Sequence, residues 1–426
     1  MQKRIESLEA WYHQPDGERA LLGRMGISGR GRIALEVADA GLLRALSPVV
    51  MARLAGPVVY PSHDEAQAKT FQGLFGLFAD SLPDTFGLDV VRTKLRERGF
   101  ATGPLEILAY LGEWGRGAIS YEPSFGSGGQ SGAVDIAELF DATLRVQDGD
   151  SLDLSDPFAK AMGTAGGTRP KAFVVMEAHG GFRTLRAMDS GLGEGESAWM
   201  VKFDCTGHFR GQIDHETRIE AAYLHAASEA GIRVPESRGL EAGDRFHLAT
   251  RRFDRTGAGH PLHMHTLWGL AQAPSGSDRA SYDTFARAAA RLTNDLSMAE
   301  QVLRRLAFNV LTGNMDDHPK QHAFLYDGRA WSLAPAYDLT FSERFSGHSM
   351  PVLGSVRPDR ETLLAFARET DVRHPGPVLD QVIEAGRALE RQYLVQYGVP
   401  QRLRQAISAR IQQTVEAWAA GPSIRP

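Results

Sequence analysis

The chain has one cysteine in 426 residues, Cys205, so no internal disulfide staples it, and a reducing compartment suits it. It also has no apolar run of membrane-spanning length. Its first residues, Met-Gln-Lys-Arg-Ile-Glu-Ser-Leu-Glu-Ala, are basic but are followed by no apolar segment. Both features predict a cytoplasmic protein that makes no membrane contact. No charge imbalance exists either: 47 basic against 52 acidic side chains leave a net charge of −5, with no global drive onto nucleic acid or anionic lipid. Internal repeats and low-complexity tracts are absent, which excludes solenoid and fibrous classes. No Gly-Lys-Ser/Thr follows any glycine-rich loop, so there is no Walker A. His260, His263 and His265 lie in a Gly/Pro-containing loop without Cys or carboxylate at ligand spacing, which argues against zinc.

What is present is an ordinary globular composition, 42% apolar, in a chain long enough for two or three cores. The first part reads as short strands: Ile5 to Trp11, a turn at Pro15-Asp16-Gly17, Leu21 to Met25, and another from Ile33. Glycines at 29 and 31 weaken any DNA-recognition helix there. Thr70 to Leu82 reads as a helix, the segment holding Val90, Val91 and Leu95 as alternating, Pro104 to Tyr110 as a helix and Ala118 to Tyr121 as a strand. Gly126 to Gly132 reads as a flexible loop. The acidic, proline-closed segment from Gln147 to Pro157 predicts a boundary, giving an N-terminal subdomain over 1–150 and a second domain over 151–426. Strands dominate that second domain to about residue 255. Helices follow, at Tyr282 to Leu292, Met298 to Thr312, Thr362 to Ala367 and within Pro377 to Trp418. The predicted fold class is α+β: a kinase-like bilobal domain, with a mainly β N-lobe over about 151–260 and an all-α C-lobe over about 261–426, preceded by a small α+β subdomain.

The chemistry concentrates between Leu311 and Leu339. Val302, Leu303, Leu306, Ala307, Val310 and Leu311 share one helical face, and Gly313 is placed to end that helix. The loop beyond it carries Asp316, with Asp317 and His318 beside it and Lys320 placed to neutralise phosphoryl charge. Ala323 to Tyr326, a turn at Asp327-Gly328, and Trp331 to Leu333 form a hairpin that returns Asp338 towards Asp316. Phosphoryl transfer needs such a pair, one carboxylate to take a proton and one to hold the magnesium that bridges ATP phosphates.

Upstream, Gly163-Thr-Ala-Gly-Gly-Thr-Arg-Pro-Lys171 precedes an apolar strand; its adjacent glycines allow close phosphate approach, and Arg169 or Lys171 adds positive charge. Lys202 lies among apolar neighbours and needs a partner, either ATP phosphate or a carboxylate, for which Glu220 on the following helix is the candidate. His247 to Arg255 ends a strand where a kinase hinge meets adenine through backbone groups.

Taken in order, these segments resemble the HipA family of serine/threonine kinases, the toxin components of bacterial toxin–antitoxin modules. Leu77-Phe-Ala-Asp-Ser-Leu-Pro-Asp-Thr-Phe-Gly87 is similar to the family's F-A-D-S-L-P-D-G-W-G, and Leu105 to Ile119 to its Y-L-G…R-G-A segment. Gly166 to Lys171, Lys202, Arg252-Phe-Asp-Arg255, Gly313-Asn-Met-Asp-Asp-His318 and Pro335-Ala-Tyr-Asp338 match in order and spacing. The resemblance implies Asp316 as catalytic base, Asp338 as magnesium ligand and Lys202 on ATP phosphate. It implies a nucleotide loop of Gly166, Gly167, Thr168, Arg169, Pro170 and Lys171, an adenine-side hinge of Arg251, Arg252 and Phe253, and His318 and Tyr337 lining the nucleotide site. The family autophosphorylates a serine just before the loop; Thr164 stands at that position. It also implies a protein substrate, an aminoacyl-tRNA synthetase in known relatives, and an antitoxin through which alone DNA is met. Gln321 stands where the family has asparagine as second magnesium ligand, and its extra methylene predicts lowered activity that asparagine would restore. Two other readings remain at this point: a catalytically weak pseudokinase acting as an antitoxin-binding co-repressor, and a small-molecule kinase.

Overall fold

The computed structural model describes residues 2–29, 31–49, 51–53, 59–61, 70–125, 134–147, 159, 161–163, 169–177, 184–187, 191–208, 214–272 and 280–420. Thr164, Gly166, Gly167, Thr168, the loop 126–132 and most of the boundary segment 147–157 lie outside them. Contacts divide the chain into two compact units, neither continuous in sequence. The first comprises residues 1–203, 240–276 and 325–329; the second comprises 204–239, 277–324 and 330–426.

The first unit contains two antiparallel sheets. In one, β1 (Ser7–His13), β2 (Arg19–Ile27), β3 (Ile33–Val37), β4 (Val59–Pro61) and β5 (Ile119–Glu122) lie in the order β4-β3-β2-β1-β5. Alternation along β1 buries Leu8, Ala10 and Tyr12 on one face, as a half-buried strand requires. The second sheet contains β6 (Val134–Asp135), β7 (Lys171–Glu177), β8 (Thr184–Ala187), β9 (Glu196–Lys202), β10 (Ser237–Ala242) and β11 (Arg245–Arg251), ordered β10-β11-β9-β7-β8-β6.

Two expectations are corrected here. The segment with Val90 and Val91 is a helix, Thr85–Glu97, in which Phe86, Val90, Val91, Lys94 and Leu95 fall on one face and are buried. The predicted helix from Thr70 to Leu82 is interrupted: Gln72 and Gly73 take φ of 53° and 82° and Phe75 is extended, so the helix beyond them starts only at Gly76 and ends at Ala79, and Gly76 packs closely against Gly269. A Cβ on Gly76 would stand 2.1 Å from the Gly269 carbonyl oxygen.

Buried polar groups wire this unit together. Asp80 accepts from Thr266 N–H at 2.8 Å and Thr266 Oγ1 at 2.6 Å, and pairs with His265 Nδ1 at 2.6 Å. His265 Nε2 lies 3.0 Å from Ser47 Oγ. The order of partners matches a hydrolytic triad, but Ser47 and His265 are 0% exposed, so no acyl group reaches the hydroxyl and the chain of bonds is architectural. Nearby, Arg252 and Arg255 enclose Asp254 at 2.7 and 3.0 Å and donate to the carbonyls of Gly115 and Gly117. Burial alone would raise the Asp254 pKa; the two guanidinium groups outweigh it and hold the carboxyl well below its ordinary range.

The second unit is mainly helical. Helix Met298–Thr312 is buried on every side from Val302 to Thr312, surrounded by helices Tyr282–Thr293, Arg360–Glu369, Pro375–Ala388 and Gln401–Ala419. Burial of each large apolar side chain on it contributes roughly 1.5–3 kcal/mol. Gly386 lets Pro375–Ala388 approach, since a Cβ there would lie 2.5 Å from Leu311 Cδ2. No helix among the described residues is long and apolar enough to cross a membrane.

Candidate active site

Gly313, at φ 73°, turns the chain out of the central helix, and its N–H closes that helix on Asn309 O. The loop that follows is then held by side chains. Asn314 donates to Asn309 through N–H at 3.0 Å and through Nδ2 at 3.1 Å. Met315 and Asp316 N–H both donate to Ser342 Oγ, at 3.0 and 3.1 Å, while Ser342 N–H donates to Gly313 O at 3.0 Å. Asp316 is half-buried at the crest of this loop.

Its neighbour Asp317 does different work. That carboxylate is completely buried and accepts from Tyr282 OH at 2.7 Å and Ser349 N–H at 2.8 Å, with His348 Nδ1 at 2.8 Å. Burial, then the adjacent Asp317 charge, pushes the Tyr282 phenol well above its ordinary pKa, so it stays a donor. Asn309 Nδ2 donates to the same phenol at 2.9 Å. Of two adjacent aspartates, one anchors the loop and the other is presented by it. Sequence reasoning missed Tyr282, Ser342 and His348 as supports; the Asp316-Asp317 doublet was the available signal, since two adjacent carboxylates cannot both face the same reacting group.

The hairpin forms as expected, with strands Ala323–Tyr326 and Trp331–Leu333 and the Ala334 N–H bonded to Ala323 O. Beyond it, Ala336 N–H donates to Arg233 O at 2.7 Å. Asp338 then adopts φ 59°, a left-handed conformation uncommon outside glycine and asparagine, and its N–H donates to Glu220 Oε1 at 3.2 Å. Glu220 is buried on helix Glu216–Glu229, so part of its carboxylate is committed to shaping the chain at Asp338. Gln321 ends a turn of 3-10 helix, Pro319–Gln321, that starts from His318. Its Nε2 donates to Asp338 Oδ2 at 3.0 Å, and Tyr337 OH donates to Lys320 O at 2.6 Å. The sequence-predicted residues His318, Lys320, Gln321, Tyr337 and Asp338 are therefore brought together.

The donor chemistry fits magnesium. Gln321 and Asp338 converge within hydrogen-bond distance, and turning the amide over would place two oxygens side by side. Among the described residues no cluster of three or more His, Cys, Asp or Glu forms a cage. Two protein oxygens completed by phosphates and water are a usual arrangement for magnesium. Behind Gln321, a cavity with room for one water is lined by Arg305, Asn309, Asn314, His322 and Tyr337. Asn314 Oδ1 and Arg305 Nε and Nη1 have no protein partner and face the need for such a water.

In the first unit, register does something the sequence did not reveal. Lys171 at the start of β7 and Lys202 at the end of β9 are direct cross-strand partners, and both are buried. Opposite residues project to one face, so the two lysines lie side by side on it. The pairing is prolonged by Phe203 N–H to Pro170 O at 3.1 Å, with Arg169 half-buried just before. At the end of β11, Arg251 is exposed and Phe253 half-buried. Arg252 is committed through its side chain to Asp254 and through its N–H to Ala198 O.

A family model described as the HipA-like C-terminal domain matches residues 163–418. The chain belongs to this HipA-like family. HipA of Shewanella oneidensis MR-1, solved with HipB and its operator DNA, has the same fold, with a TM-score of 0.66 over 98% of this chain and 100% of that one, at 16% identity. Two curated relatives come from Sinorhizobium fredii. "Putative kinase Y4dM" is 32% identical over 175 residues, 38% of this chain and 40% of the relative. "Putative kinase Y4mE" is 27% identical over 163 residues, 34% of this chain and 38% of the relative. The HipA-like chain thus aligns with less than half the length of either.

Proposed function

We propose that this chain is an ATP- and magnesium-dependent protein kinase that phosphorylates serine or threonine on another protein to inhibit growth. The observation that carries this reading is the convergence of Gln321 and Asp338 on the loop that presents Asp316. In the proposed step, the substrate hydroxyl oxygen bonds to the γ-phosphorus of ATP while Asp316 takes the hydroxyl proton. The bond from γ-phosphorus to the bridging oxygen breaks, and ADP leaves. Magnesium on Gln321 and Asp338 would neutralise phosphate charge. Lys171 and Lys202 grip phosphate oxygens with the loop of Gly166, Gly167, Thr168 and Arg169, and Arg251 to Phe253 meet adenine. His318, Lys320 and Tyr337 line the nucleotide.

Shewanella HipA was solved with an antitoxin and operator DNA, which supports an antitoxin partner here and DNA contact only through it. A cytoplasmic location and an N-terminal module over 1–150 belong to the same proposal, as does modification of Thr164. Asp316→Asn and Asp338→Asn are each expected to lower phosphate transfer from radioactive ATP to protein by at least about 100-fold. Wild-type labelling by either variant sinks the assignment. One observation favours a second reading, a catalytically weak antitoxin-binding co-repressor: glutamine at 321 in place of the family's asparagine. Nucleotide binding with no transfer by the wild type would select it.

A further inference from the structure

We propose that a groove beside the catalytic loop docks the protein substrate through a peptide segment that pairs an acidic side chain with an apolar one. The proposal rests on the kinase reading above. The groove, about 340 Å³, is lined by Met315, Phe345, His348, Val356, Arg357 and Arg410 among others. Two of these fix its place: Met315 immediately precedes Asp316, and His348 holds Asp317. The groove is thus bordered by the loop that carries the residue proposed to take the hydroxyl proton.

Two properties of the wall select the occupant. Phe345 and Val356 are large apolar side chains left 45% and 48% exposed, so an apolar partner gains by covering them. Arg357 and Arg410 supply positive charge, and neither forms an ion pair among the described residues. Arg357 Nε donates to Ser346 O at 2.6 Å, while Arg410 Nη2 reaches Val310 O at only 3.4 Å and its Nε has no partner. Burial works against the Arg410 charge, so an anion arriving in the groove relieves a cost. Glu343, the acid nearest in sequence to Phe345, is already paired with Arg402 at 3.0 Å. Charge complementarity therefore asks for a carboxylate, and the exposed ring and valine ask for an aliphatic or aromatic neighbour to it.

The test separates this proposal from the kinase reading by measuring binding without ATP. Fluorescein-labelled serine peptides carrying Asp and Leu near the serine are titrated with the full chain, beside the same peptides with Lys for Asp. The acidic peptide is expected to bind about tenfold more tightly, an advantage retained by Arg357→Lys and lost or inverted by Arg357→Glu. Equal binding of acidic and basic peptides by the wild type overturns the proposal, whether or not phosphate is transferred. Self-association that Arg357→Glu abolishes, with no acidic preference, would assign the groove to a second copy and overturn it too. Labelling with ATP is measured separately; its absence with intact acidic preference counts against the kinase reading alone.

Discussion

A glutamine and an asparagine differ by one methylene, and position 321 carries the longer of the two. Gln321 is buried beside a water-sized cavity and its longer side chain donates to Asp338 at 3.0 Å. The resemblance predicts that Gln321→Asn raises phosphate transfer, since the extra methylene moves the side-chain oxygen by roughly a bond length and magnesium tolerates little distortion. The variant should need several-fold less magnesium for half-maximal labelling, read by a magnesium titration; an unchanged requirement would show that the site has adapted to glutamine. His322 poses a different question. Its ring packs on Phe285 at 4.4 Å, and burial pulls its pKa down to about 3. The folded pKa is depressed, so the unfolded chain binds the proton first. Its stability contribution is present above about pH 6.5 and declines by about 1.4 kcal/mol per pH unit as pH falls towards 3. His322→Phe should fold and flatten part of that decline in urea midpoints measured from pH 7 to 4.5. The Gln321 departure was legible in the sequence; the burial of His322 was not, because it depends on what other segments bring alongside.

Elements were most legible where periodicity and a terminator agree. Helix Met298–Thr312 carries a helical apolar face and ends at Gly313 in the left-handed conformation that its position requires. Helix Thr85–Glu97 was misread because two adjacent β-branched valines after Pro83-Asp84 look like a strand, although Phe86, Val90 and Val91, and Lys94 and Leu95 follow helical spacing. The break in the predicted helix from Thr70 to Leu82 was not legible at all. It lies at Gln72 and Gly73, which take φ of 53° and 82°, and the short helix that follows packs on Gly269, nearly two hundred residues away, whose Cβ would stand 2.5 Å from Asp80 Oδ2 and 2.7 Å from Gly76 O. Gly269→Ala should therefore lower stability by about 1–3 kcal/mol, as a fall in the denaturation midpoint. An unchanged midpoint would show that the Gly76–Ala79 segment gives way without cost.

For the molecule as a whole, the order of motifs was readable and the grouping of segments was not. A boundary near residue 150 follows composition, yet Asp80 finds its partners at His265 and Thr266, and Gly115 and Gly117 find theirs at Arg252 and Arg255. Residues 240–276 belong by contact to the same unit as the N-terminal sheet. Sequence distance hides such closure, because each partner alone is an ordinary polar residue. The facing lysines of β7 and β9 have a consequence at this scale. A nucleotide that bound beside Lys171 and Lys202 in the folded chain and not in the unfolded one, as the proposed function requires, would link occupancy and foldedness thermodynamically. At 100 times its dissociation constant, a nucleotide would add about 2.7 kcal/mol of stability, visible as a rise in melting temperature that Lys202→Met should erase. An unshifted melting curve at saturating nucleotide would sever that link. In a cell that linkage would read as lifetime: chains emptied by a fall in nucleotide concentration would open more often, and proteases would reach them first.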